Sequence, residues 1–289
     1  FGQTKTVWRV EDLGISSVHH DFRPTPDGQL ALISTEMEPI NGWSIEGLEE
    51  HRSLNVVADR FMIFDEDGTE TWSWDMLDHF EPTRYYTHDL HMTFWEMPPY
   101  LDVDKPKDWS HANAIVPNGD NWVVSLRNLD RIIEIDPTTN SVEWIFGPQG
   151  DFELVEGSRW FSRQHSPSIT DDGNLLMYDN GLDRFDASEH PDERPFTRVV
   201  EYALNHEAMT ATEIWSWDGG DRYVCPITGT VQYLENGNHF ISDGALIGDL
   251  AAITTSSPPH YSARLREIVG TTDPEVIWEL VVGTPEDTE

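Results

Sequence analysis

The sequence predicts an all-β chain made of four-stranded β-propeller blades, and three observations carry that prediction. One tryptophan recurs at positions 8, 72, 144, 215 and 278, at intervals of 64, 72, 71 and 63 residues. An Asp-Gly or Asn-Gly pair recurs at 27–28, 118–119, 172–173 and 236–237. Such pairs favour the positive φ of tight hairpins. A histidine stands eight residues before three of those glycines: His20 before Gly28, His111 before Gly119 and His165 before Gly173. In the fourth copy Gly229 stands eight residues before Gly237. A long period in which every unit closes on a strand is the mark of blades or of a solenoid.

Each unit repeats one order. A first strand ends at the Gly turn. An apolar second strand follows: Leu30 to Ser34, Trp122 to Ser125, Leu175 to Tyr178 and His239 to Ser242. A third strand alternates: Arg60 to Phe64, Arg131 to Ile135, Arg198 to Tyr202 and Ala263 to Ile268. The Trp strand closes the unit, at residues 71–74, 142–145, 214–217 and 276–279. Four strands in meander order make a propeller blade. Residues 6–10 read as an orphan strand before the first complete unit. A bare blade needs about 40–50 residues, so each unit leaves room for loop insertions, such as 99–107 and 181–195. The expected organisation is one propeller domain over residues 1–289, with four complete units.

Composition narrows the partners. The 289 residues carry a formal net charge of −35. Lysine occurs only at 5, 105 and 107. Such a surface is kept soluble by strong salt, which shortens the reach of self-repulsion. This points to a halophilic host, with a calcium-loaded or merely acidic secreted protein as the alternative. Nucleic acid is excluded as a partner, because phosphate binding needs basic patches. Cys225 is the one cysteine, so no internal disulfide forms and no zinc knuckle exists. No apolar run of membrane-spanning length is present. The chain begins at Phe1 and shows no signal peptide, which a trimmed start would hide.

The first strand of a blade lines the central channel, so a fixed register reappears around the ring at similar depth. His20, His111 and His165 are therefore expected to converge at the channel mouth. Arg127 ends the apolar stretch Val123 to Leu126 in the hairpin of His111. Its planar fork suits an anionic oxygen pair. Three imidazoles and a guanidinium would make a positive island for a sulfate, phosphate or carboxylate.

The motifs Asp-Trp-Ser-His-Ala-Asn (108–113), Ser-Leu-Arg (125–127), Trp-Ile-Phe-Gly (144–147), Gln-His-Ser-Pro (164–167), Tyr-Asp-Asn-Gly (178–181), Arg-Val-Val-Glu-Tyr (198–202) and Gly-Thr-Val-Gln (229–232) resemble those of the arylsulfate sulfotransferases. The resemblance implies a six-bladed propeller that moves a sulfuryl group from a phenolic sulfate ester to a phenol. It also implies a sulfated histidine intermediate, no nucleotide donor and no cofactor, and an extracellular or periplasmic location. Against six blades, the four units here leave a missing N-terminal part of the ring or a reduced member. Position by position, the nucleophile falls on His165. Ser166 stands where the family more often has Asp. His111 with Asn113 matches the His-x-Asn motif. Arg127 matches the family's arginine, His20 its upstream histidine with His19 as competitor, and Thr230 a site threonine. Trp95, Trp160 and Phe161 are candidates to sandwich a phenol ring.

Neutral imidazole is a good nucleophile near neutral pH, and donors aimed at the equatorial oxygens would stabilise the transition state. Two other classes stay open: a metal-dependent hydrolase or lyase with three histidines on zinc, to which His88 and His91 add weak candidates, and a non-catalytic extracellular binding propeller. No oxygen-ligand loop of cation-binding spacing appears. The charge reading predicts that the thermal midpoint rises as KCl is raised from low to molar concentration; a midpoint that is flat or falls with salt overturns it.

Overall fold

The computed structural model describes residues 6–25, 27–44, 51–82, 95, 98–104, 106–182, 195–220, 223–247, 262–270 and 273–283. His88, His91 and much of the 181–195 insertion lie outside them. The chain divides into two compact units, Phe1–Trp144 and Ile145–Glu289.

The first unit opens on a helical turn, α1 (Val10–Leu13), and then runs β1 (Phe22–Pro24), β2 (Leu30–Ser44), β3 (His51–Phe64) and β4 (Glu70–Asp75). A second helical turn, α2 (Met76–His79), and β5 (Lys107–Asp108) precede the next sheet. That sheet is β6 (Ala112–Asn118), β7 (Asn121–Leu126), β8 (Arg131–Asp136) and β9 (Ser141–Phe146), whose end crosses into the second unit. The second unit holds β10 (Glu153–Leu154), β11 (His165–Ile169), β12 (Leu175–Asp179), β13 (Arg198–Asn205) and β14 (Thr210–Trp217). It ends with β15 (Thr230–Tyr233), β16 (His239–Leu246), β17 (Ser262–Val269) and β18 (Glu275–Val282).

The chain is all-β, and its sheets have the expected blade order. Four antiparallel meanders pair as β1-β2-β3-β4, β6-β7-β8-β9, β11-β12-β13-β14 and β15-β16-β17-β18. Each of the four recurrent tryptophans from 72 onward falls on the fourth strand of its sheet. The turn glycines adopt the left-handed backbone that their Asp-Gly and Asn-Gly pairs predict, with φ of 89° at Gly28, 61° at Gly119, 79° at Gly173 and 84° at Gly237. Two short strands extend the sheets in parallel: β5 on β3 and β10 on β14.

Two local readings change. Residues 6–10 do not form an orphan strand. Residues 6–9 are irregular and Val10 begins α1. The turn holds because Asp12 accepts from the Arg9 backbone N–H at 3.1 Å and Gly14 closes it at φ 69°. Leu13 and Ile15 then pack on Leu32, Met62 and Phe64, so burial outweighs the alternating pattern. The second and third strands of the first sheet also run far beyond 30–34 and 60–64, as a hairpin paired out to Ser44 and His51.

Burial peaks on second strands such as β7 and β12 and not on the first, since every residue of β1 is exposed. Every residue of β12 is buried and every residue of β18 is exposed. In the second unit the core gathers Leu176, Tyr178 and Val199 of one sheet with Val231, Ile241 and Ile268 of the next. In the first unit the Trp72 and Trp74 indoles donate to the side-chain and backbone oxygens of Asn140, at 2.8 and 3.1 Å, which ties the outer strand of the first blade to a turn of the second. Among the described residues no helix is long and apolar enough to cross a membrane.

His239 is a buried polar exception. It stacks on Trp215 with ring centroids 4.3 Å apart, and its Nε2 has no hydrogen-bond partner among the described residues. Burial pushes its pKa from 6.5 down to about 4. The unfolded chain therefore takes a proton near pH 6.5 that the folded chain refuses until about 4, so stability is lost as pH falls through that window. Urea unfolding of His239→Phe, which keeps the stack, is expected to lose less stability than wild type between pH 8 and pH 5, by about 2 kcal/mol. Equal losses in both proteins contradict this account.

Candidate active site

The recurring register point has a physical signature, a left-handed backbone just ahead of or at the start of each inner strand. His20 has φ 58°, His111 φ 48°, Ser166 beside His165 φ 50°, and Gly229 φ 112°. A non-glycine residue in this region costs of order 1–3 kcal/mol and persists only where its surroundings hold it. At His111 the hold is visible. Its carbonyl accepts from Arg127 N at 3.1 Å. The next N–H, of Ala112, donates to Asp59 Oδ2 at 2.6 Å. At His20 the Asp21 N–H closes back on the His19 carbonyl at 2.8 Å, a three-residue turn centred on the strained histidine.

In the first unit the structure brings His19, His20 and His111 together. The His20 and His111 rings lie 4.7 Å apart and the His19 and His20 rings 5.0 Å apart, both edge-on. His19 Nδ1 and His20 Nδ1 are within 2.7 Å, so one donates to the other. Two buried carboxylates back this group. Asp59 stands 3.1 Å from His19 Nε2 and also accepts from Ser110 Oγ. Asp108 bonds His111 Nδ1 through Oδ2 and takes the Trp95 indole N–H on Oδ1 at 2.8 Å. Burial alone would raise the Asp108 pKa, but His111 beside it, then Trp95 and Arg127, hold it below the usual carboxylate value. His20 differs. It is exposed at the surface, yet desolvation of the ring, and then the charges that His111 and His19 can carry, push its pKa down to about 3. The expected positive island is thus a neutral His20 beside imidazoles matched to carboxylates.

Arg127 follows β7 as the first residue of a buried 3-10 turn, Arg127–Leu129. Its Nη1 donates to Asn128 Oδ1 at 2.8 Å, and Asn128 in turn donates to the Asp108 carbonyl at 3.0 Å. Asn113 is buried on β6, one residue past Ala112.

His165 and Thr230 belong to the second unit. His165 is buried at the start of β11. Its Nδ1 is 2.7 Å from Asn180 Oδ1 and 3.2 Å from the Arg163 carbonyl. Asn180 donates from Nδ2 to the carbonyls of Cys225 and Thr228, at 2.7 and 2.8 Å. Ser166 Oγ and Thr230 Oγ1 are 2.7 Å apart. The fourth register position carries no imidazole for a steric reason. A Cβ on Gly229 would lie 2.2 Å from the Tyr178 ring, and Tyr178 is fixed by its hydroxyl to Asp243 at 2.7 Å.

The three candidate ring-stackers have aromatic or carboxylate neighbours within the protein. Trp95 is buried, holding Asp108 and standing edge-on to His19. Phe161 and Trp160 pack on Phe146, in a cluster that also holds Phe152 and Tyr202. Among the described residues no group of three or more His, Cys, Asp or Glu is placed to hold a metal ion.

The arylsulfotransferase family model matches residues 2–282. The chain belongs to the arylsulfotransferase family. Two relatives share this membership by name. The arylsulfate sulfotransferase AssT of Escherichia coli O6:H1 is 22% identical over 284 residues, covering 81% of this chain and 46% of that protein. AssT of Lelliottia amnigena is 21% identical over 161 residues, covering 46% of this chain and 27% of that protein. The chain thus spans about half, or less, of the length of the curated arylsulfotransferases it matches. A solved structure of a protein of unknown function from Bacteroides caccae aligns over 90% of this chain and 65% of its own, with TM-score 0.43 and 14% identity.

Sequence reasoning passed over Asp59, Asp108 and Asn180 as partners of the histidines. Asp108 was within reach, three residues before His111. Asp59 arrives from a strand distant in sequence, whereas Asn180 directly follows β12, the hairpin partner of β11, 15 residues after His165. Because Asp59 holds Ser110, Ala112 and His19, Asp59→Ala is expected to cost roughly 3 kcal/mol. A urea midpoint within error of wild type would refute that role.

Proposed function

We propose that this chain transfers a sulfuryl group from an aryl sulfate to a phenol, with His165 as nucleophile. The observation that carries the reading is the arylsulfotransferase match over residues 2–282, with His165 at the register where the repeat places its histidines. In the first half-reaction the His165 Nε2 lone pair attacks sulfur. The N–S bond forms, the S–O(aryl) bond breaks, and the phenolate leaves with the bonding pair. In the second half-reaction an acceptor phenol loses its proton to a base, its oxygen attacks sulfur, and the N–S bond breaks to restore neutral His165.

The other residues take roles that their surroundings support. His111 exchanges the proton with the leaving and attacking phenol oxygens, because Asp108 at its Nδ1 stabilises the imidazolium. Arg127 and His20 donate to the sulfuryl oxygens as negative charge spreads over them. Asn113, Thr230 and His19 line the substrate site. The substrates are phenols and their sulfate esters, and the site of action is extracellular or periplasmic, in a halophilic setting.

The test is incubation of the protein with an aryl sulfate and a phenol acceptor in high salt. Wild type is expected to release phenolate in a burst and to gain the mass of one sulfuryl group on His165. His165→Ala is expected to lose at least about 10³-fold in turnover, and Arg127→Ala about 10²-fold. Wild-type turnover by His165→Ala removes the nucleophile. A binding propeller without chemistry would show no turnover in any variant and unchanged ligand affinity in His165→Ala.

A further inference from the structure

We propose that Asn180 is a positioning residue that locks His165 in its Nδ1–H tautomer and so presents Nε2 with the lone pair. The inference rests on the reading of His165 as nucleophile, but its geometry is independent of that reading. Free neutral histidine prefers the opposite tautomer, with the proton on Nε2. Here Nδ1 faces two oxygens, Asn180 Oδ1 at 2.7 Å and the Arg163 carbonyl at 3.2 Å. The backbone carbonyl is an acceptor and never a donor, so the proton belongs on Nδ1.

The amide is equally fixed. Asn180 Nδ2 donates to two backbone carbonyls, Cys225 O at 2.7 Å and Thr228 O at 2.8 Å. A flipped amide would press its oxygen against both carbonyls and its NH₂ against Nδ1. Thr197 closes the arrangement. Its Oγ1 donates to the Asn180 carbonyl at 3.1 Å and accepts from the Cys225 N–H at 2.8 Å. The side chain and its neighbours are almost wholly buried: Asn180, Thr197 and Cys225 are each 0% exposed.

A neutral amide suits a nucleophile better than a carboxylate does. It sets the tautomer without drawing the ring toward the imidazolium, which has no lone pair to attack with. When Nε2 bonds to sulfur, the ring keeps its Nδ1 proton and becomes a cation. Asn180 Oδ1 and the Arg163 carbonyl then stabilise that proton but do not remove it. The ring therefore stays a good leaving group for the second half-reaction, in which the acceptor oxygen bonds to sulfur and the N–S pair returns to Nε2. The contrast within this chain is direct, since His111 has the Asp108 carboxylate on the same nitrogen. The same amide also holds Thr228, two residues before Thr230, whose hydroxyl meets Ser166 beside the nucleophile.

Nitrogen-15 NMR of histidine-labelled protein reads the tautomer with no turnover needed. The His165 signal is assigned by its loss in His165→Gln. Wild type at alkaline pH is expected to show a protonated Nδ1 and a pyridine-like Nε2. A protonated Nε2 overturns the proposal, whatever the protein's activity. Asn180→Ala is expected to release the ring toward the Nε2–H form and to slow the phenolate burst by roughly 10–100-fold, with little change in KM. Asn180→Asp keeps an acceptor at Nδ1 while adding a charge that stabilises the imidazolium. It is expected to retain the Nδ1–H form and to move the acidic limb of the burst rate to higher pH, a shift that mere loosening of the fold would not give. An unchanged burst rate in Asn180→Ala, or an unchanged acidic limb in Asn180→Asp, counts against the role. Failure of sulfuryl transfer in wild type with the Nδ1–H tautomer intact would overturn the nucleophile reading and leave the lock standing.

Discussion

A left-handed step in the backbone, taken at one point of every blade, is the constraint on which the candidate site depends. A side chain there leaves the pleat of the strand that follows instead of alternating with it. Two of these steps are held by groups outside their own strand: Asp59 for Ala112 after His111, and the Asn180 amide for the carbonyls of Cys225 and Thr228 around the fourth step. The strain at these points and the buried polar atoms that relieve it are two sides of one arrangement. Removing the polar partner exposes the strain, and removing the strain would return the histidine to the strand's ordinary face.

The histidines become chemically distinct through what stands behind them. Asp108 beside His111 favours a proton carrier, whereas a neutral amide beside His165 favours a ring with a lone pair. His20 stands beside two other imidazoles at the surface, and its pKa is held low. A protein with a net charge of −35 thus places few fixed positive charges in the candidate site. Arg127 supplies one of them. The acidic surface and the site are separate matters: the surface answers to solvent and salt, the site to buried pairs that salt screens little.

Much of the fold was legible because its signals are local. The Asp-Gly and Asn-Gly turns, the apolar second strands and the closing tryptophans each depend on a few neighbouring residues, and all four blades follow them. Residues 6–10 misled because Thr-Val-Trp-Arg-Val alternates like a strand, while Leu13 and Ile15, just beyond, find a hydrophobic seat that favours a helical turn. The long reach of β2 and β3 was not legible, since Glu36-Met37-Glu38-Pro39 carries no strand pattern of its own and pairs only because its partner strand is there. In the site, the repeat placed His20, His111 and His165 at equivalent steps, and His20 and His111 do meet. Asp59 and Asn180 could not be read in the same way. Asp59 meets Ala112 across 53 residues, and Asn180 meets His165 across 15 and Cys225 across 45, separations that the period of the repeat does not encode.

Tyr178 carries a consequence for how the repeat can change. Its ring lies where a side chain at position 229 would have to begin, and its hydroxyl is tied to Asp243, which also anchors Arg264 and Arg266. Acquiring an imidazole in the last blade is therefore not a one-step event. It would demand a smaller residue at 178 as well, which would leave Asp243 to its two guanidiniums, so a side chain at this point of the repeat needs at least two coordinated replacements.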